Sequence, residues 1–174
     1  TAEDAPVWNA TWRVRQGLRW TELDWFWAEA YFYRRVLEAV RYFQPGPWHG
    51  VDPFAPQKRK ALAEGLGPTA AAYRALPPEV PWRQALWLWL ARSLWGNRVD
   101  LSNITVAAMD RSDPAHVHDD LLLIDHRAEL VALLAPGLHR VGWVCDNCGE
   151  ELLCDLALID LLLSEGLAQT VCLH

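Results

Sequence analysis

The sequence predicts an α/β chain in which a helical amino-terminal part, residues 1–110, packs on the first strands of a parallel sheet carried by residues 111–174. Three observations predict it. Before Asp110, stretches with apolar residues at helical spacing are separated by proline and glycine clusters. Beyond Asp110, short apolar runs alternate with helix-period segments, the texture of strand and crossover units. A hydrophobic content of 52% over 174 residues is enough to fill a core.

Taken in order, Thr21 and Asp24 form a helix-start signature ahead of Trp25, Ala28, Phe32, Val36 and Val40, which share one helical face. That helix is expected to run to about Phe43 and to end at Pro45, Gly46 and Pro47. Gln57 to Gly65 reads as a short helix, stopped by Gly67 and Pro68. The span from Pro81 to Trp95 carries Trp82, Trp87, Trp89 and Trp95, is apolar around much of its circumference, and is expected to be largely buried. Leu121 to Ile124 then reads as a strand, Arg127 to Leu134 as a helix, Arg140 to Cys145 as a strand, Glu151 to Ser164 as a helix, and Gln169 to Leu173 as a third strand. This alternation is Rossmann-like, and such sheets bind ligands beyond the carboxyl ends of their strands. The sheet is expected to be incomplete at His174.

Charge and composition exclude several classes. A formal charge of -6 lacks the basic surface that phosphate backbones require, so no nucleic-acid partner is expected. No apolar run approaches the roughly 20 residues of a membrane span, and the amino terminus has no secretory pattern, so the expected location is cytoplasmic with no membrane partner. The chain opens on Thr1 and its single methionine is Met109. The stop at His174 is therefore not expected to be the natural one either.

The sharpest chemical feature is Asp146-Asn-Cys-Gly-Glu-Glu151, set between a strand and a helix. An aspartate and an amide offer hard oxygen donors to magnesium or manganese, and through the ion to a phosphate. Gly149 permits a tight turn, and the helix amino terminus favours an anion. Read alone, the same residues also describe a polar turn that caps a helix. Four segments together resemble the damage-control metal-dependent phosphatases, in the branch also labelled acidic-residue methyltransferases: Trp27-Ala-Glu-Ala-Tyr-Phe-Tyr-Arg-Arg35, Asp52-Pro-Phe-Ala-Pro-Gln-Lys58, Ser93-Leu-Trp-Gly-Asn-Arg-Val-Asp-Leu-Ser102 and Asp146-Asn-Cys-Gly-Glu-Glu-Leu-Leu-Cys-Asp-Leu156.

The resemblance implies that Asp146 and Asn147 are catalytic, bind a divalent metal (manganese or magnesium, with cobalt or nickel as options) and touch the substrate phosphate. It implies hydrolysis of phosphate monoesters, with sugar phosphates or damaged phosphometabolites as the small-molecule partner. It assigns Asn97 and Glu151 secondary substrate-binding roles, places Asp100 near the phosphate, and makes Asp125 a candidate acidic neighbour of the ion. The family's remaining acidic ligand and basic phosphate-binding segment are absent from the 174 residues, so the third metal ligand is expected past His174, and a missing carboxyl-terminal segment or a second chain is expected to complete the site. Two alternatives stand beside this reading: carboxyl methylation of protein glutamates, and a catalytically silent helical interaction module.

Other clusters have simpler explanations. Cys145, Cys148, Cys154 and Cys172 suggest zinc or a dithiol pair, but no second correctly spaced pair exists, and buried thiols account for them. His116, His118, Asp119 and Asp120 read as a solvated loop.

Overall fold

The computed structural model describes residues 2–96 and 122–174, and the chain divides into two compact units, Thr1–Pro56 and Gln57–His174. In the first unit, α1 (Ala5–Arg13) and α2 (Trp25–Ala39) face each other through stacked rings. Tyr31 lies 4.7 Å from Trp27 and 5.2 Å from Trp12, both nearly coplanar, while the Arg15 guanidinium sits 4.3 Å over the Trp27 ring. Such contacts supply directional attraction between two helices that have no fully buried residue. Asp24 caps α2, its Oδ1 accepting from the Trp27 amide at 2.9 Å, whereas Thr21 belongs to the 3-10 turn Trp20–Glu22.

The helix ends earlier than the expected Phe43. Arg41 turns left-handed at φ 62°, its amide donates to the Glu38 carbonyl at 3.0 Å, and the Tyr42 amide donates to Leu37 at 3.0 Å. This is the paired closure that satisfies the last carbonyls of a helix, here made without glycine.

In the second unit, α3 (Ala55–Ala75) corrects the expectation of a short helix. It runs straight through Gly65, Gly67 and Pro68. Proline removes one intrahelical donor, but a helix packed on its neighbours withstands that loss. Here Gly65 lies directly against another helix terminus. α4 (Trp82–Gly96) packs along α6 (Glu150–Ser164), with Leu86, Trp89, Cys154 and Leu158 almost fully buried between them and their neighbours. Burial of α4 is one-sided, however: Trp87 is 43% and Leu94 59% exposed.

α5 (Arg127–Leu134) forms where expected, and Leu134 joins the same core. β1 (Val141–Trp143) and β2 (Val171–Leu173) pair in parallel, Val141 opposite Val171 and Trp143 opposite Leu173, joined by α6 as the crossover. Helices on a parallel sheet make this an α/β chain, as predicted. The first expected strand is not formed by its described residues, 122–124. Leu123 is fully exposed and Ile124 72% exposed, so these side chains have no core to alternate against. Among the described residues, no helix is long and apolar enough to cross a membrane.

Candidate metal and phosphate site

The parallel ladder extends past β1, where the Cys145 amide donates to the His174 carbonyl at 3.0 Å. Asp146 is the next residue, so its side chain leaves the carboxyl end of the strand. Asn147 follows and ties the turn together: its Nδ2 donates to Asp146 Oδ2 at 3.3 Å and to Glu151 Oε2 at 3.0 Å. Two carboxylates therefore converge on one amide. Asp146 is exposed, while Asn147 and Glu151 are half-buried, placing the cluster at a surface open to a ligand.

Glycine is required in this turn. Gly149, the N-cap of α6, has φ 125° and ψ -140°, a region that side-chain-bearing residues rarely enter, and a Cβ there would lie 3.2 Å from that of Ala61 on α3. Cys148 Sγ donates to the Lys58 carbonyl at 3.8 Å, bringing the start of α3 to the same turn. A Cβ on Gly65 would meet Glu150 backbone at 3.1 Å, and one on Gly96 would meet the Glu151 amide nitrogen and Cα at 2.9 Å. Thus α3 and α4 are both seated on the first turn of α6 by glycines.

The donors are all oxygen, the type that suits magnesium or manganese. α6 has no side-chain cap, and Glu150 and Glu151 occupy its first turn, where their charge complements the helix dipole. Among the described residues, no group of three or more His, Cys, Asp or Glu side chains gathers closely enough to hold an ion. The donor chemistry fits a hard cation. The number of protein ligands falls short of its octahedral demand.

One turn beyond Glu151, Asp155 is only 4% exposed and accepts from Ser93 Oγ of α4 at 2.5 Å. Sequence reading missed this pair, although an acid four residues after Glu151 in the run Leu152-Leu-Cys-Asp-Leu-Ala157 was a visible signal. Beside it, burial pushes the Cys154 thiol up to about 11, aided by the charge of Glu150. No disulfide joins Cys145, Cys148, Cys154 and Cys172. Asp125 lies in irregular chain just before α5 rather than at a strand end, and the Arg127 guanidinium holds its carboxyl down at about 2 through a 2.7 Å ion pair. Asn97, Asp100 and the His116 to Asp120 cluster lie outside the described residues.

Residues 3–174 match the family described as the Damage-control phosphatase ARMT1-like domain. The chain belongs to that family. Damage-control phosphatase ARMT1 of Danio rerio is 30% identical over 204 residues, covering 99% of this chain and 45% of the relative. The Rattus norvegicus and Mus musculus proteins of the same name are each 30% identical over 198 residues, covering 98% of this chain and 45% of theirs. The chain thus spans about half the length of these curated ARMT1 relatives, and its Asp146 turn, with the α3 and α4 ends seated on it, lies inside the matched region.

Proposed function

We propose that this chain carries the metal-binding part of a phosphatase that hydrolyses phosphate monoesters, with sugar phosphates or damaged phosphometabolites as the substrate class and manganese or magnesium as the ion. The observation that carries the reading is the joining of Asp146, Asn147 and Glu151 at the carboxyl end of a parallel strand and the amino terminus of α6. Supporting it, the relatives are named phosphatases.

A bound divalent ion would polarise the phosphoryl oxygens and neutralise charge there. The chain's own residues supply the frame. Asp146 offers a carboxylate at an exposed point, and the Asn147 amide holds that carboxylate and Glu151 in register. Within this proposal, the further ligands and basic groups come from a carboxyl-terminal segment or a second chain.

The test is phosphate release from a panel of sugar phosphates by the full-length protein, with manganese or magnesium and again after chelation. Activity is expected only with the metal, and Asp146→Ala is expected to lower it by about 100- to 1000-fold, the scale of losing a principal electrostatic group. A metal-loaded protein that releases no phosphate from any ester tested removes the proposal.

A further inference from the structure

Asp155 is a buried carboxylate that the chemistry above does not use. It lies four residues after Glu151, on the same face of α6, and its partner across the helix interface is Ser93 Oγ at 2.5 Å. Ser93 stands three residues before Gly96, whose missing side chain lets α4 approach so closely that a Cβ there would lie 2.9 Å from the Glu151 backbone. The two helices therefore meet at two successive rungs, Gly96 on Glu151 and Ser93 on Asp155.

These rungs differ in kind. Close packing at Gly96 sets how near the helices approach, and apolar contact is non-directional. The hydrogen bond is directional and has one geometry. A slide that lengthened it would strand a carboxylate in a buried place, which is the costly alternative.

We propose that Ser93 and Asp155 are positioning residues that fix the axial place of α6 on α4, and through it the place of Glu151, Asn147 and Asp146. The inference rests on the phosphatase reading for its catalytic consequence, though not for the geometry. Ser93 lies one turn before Gly96 on α4, so that helix anchors the Asp146 turn at two places.

The test uses the full-length protein carrying Ser93→Ala and, as the conservative control, Ser93→Thr, which keeps the hydroxyl. Amide hydrogen exchange is followed at residues 147–153, with α5 as the internal reference, alongside kcat, KM and a direct manganese titration. Ser93→Ala is expected to speed exchange at 147–153 about tenfold with α5 unchanged, to raise the manganese half-saturation and lower kcat each about tenfold, and to leave KM nearly constant. Ser93→Thr is expected to restore all of these. Exchange that rises equally in α5 marks a merely structural bond and overturns the proposal, as does a local exchange change with wild-type manganese half-saturation. Should the wild-type protein bind manganese yet release no phosphate, the phosphatase reading fails by itself, while exchange and titration still decide the positioning role.

Discussion

At residue 96 the absence of one methyl group decides how closely α4 approaches the site. An alanine Cβ there would sit 2.9 Å from both the amide nitrogen and the Cα of Glu151, and backbone atoms, unlike the tip of a long side chain, have nowhere to rotate. Gly96→Ala is therefore expected to destabilise the second unit by about 1–3 kcal/mol, the usual cost of overpacking. Gly67 gives a different case. It is a helical glycine in α3 with nothing beyond its chain neighbours within 4 Å of where a methyl group would stand, but Pro68 follows it, and a Cβ before proline meets the ring in the helical region, so the about 0.5–1 kcal/mol that helix propensity offers is offset and Gly67→Ala is expected to lie within about 0.5 kcal/mol of neutral. Denaturant midpoints of the two variants, measured with unchanged slope, check both magnitudes. Two glycines of one sequence thus have unequal roles, and only their surroundings tell them apart.

At the scale of elements, one cation of the first unit ties α2 to the start of α1. Arg34 of α2 is 10% exposed and forks onto Asp4, at the start of α1, through two 2.9 Å bonds, and its guanidinium also lies 4.1 Å over the Phe43 ring. The same pairing holds the Asp4 carboxyl below the ordinary carboxylate range. Lysine keeps the charge but not the planar fork, so Arg34→Lys is expected to cost about 1–2 kcal/mol and to speed amide exchange in α1 more than in α5. Equal exchange in both helices would reject the fork as the tie. Element boundaries were legible where the cause is local: Asp24 caps α2 because a carboxylate can reach the Trp27 amide three residues on. They were illegible where the cause is distant. Nothing near Gly65, Gly67 and Pro68 reveals that α6 waits to support α3, and Leu121 to Ile124 has strand composition without a described partner to pair with.

Across the whole molecule, the site was legible to the extent that its residues are neighbours in sequence. Asp146, Asn147 and Glu151 stand within six positions, flanked by a strand and a helix that the hydrophobic pattern discloses, whereas Ser93 and Asp155 are 62 residues apart and meet only in the folded chain. Charge supplies a further consequence. The protein carries -6, and Asp146, Glu150 and Glu151 add three carboxylates around the turn at which the proposed phosphate would bind. Those carboxylates oppose the attraction of the helix amino terminus for a dianion, so phosphate should find no net favourable field until a divalent ion is in place. Metal is then expected to bind first and phosphate second. In melting experiments on the full-length protein, inorganic phosphate alone is expected to leave Tm unchanged, manganese alone to raise it, and phosphate added at about 100 times its dissociation constant to the manganese-loaded protein to raise it by roughly a further 2–4 °C. Replacing Asp146 with Ala is expected to remove both increments, because the ion that recruits the anion would lose its exposed carboxylate. A rise in Tm with phosphate in the presence of a chelator would mean that the anion is held by protein cations instead, and would detach the phosphate site from the Asp146 turn.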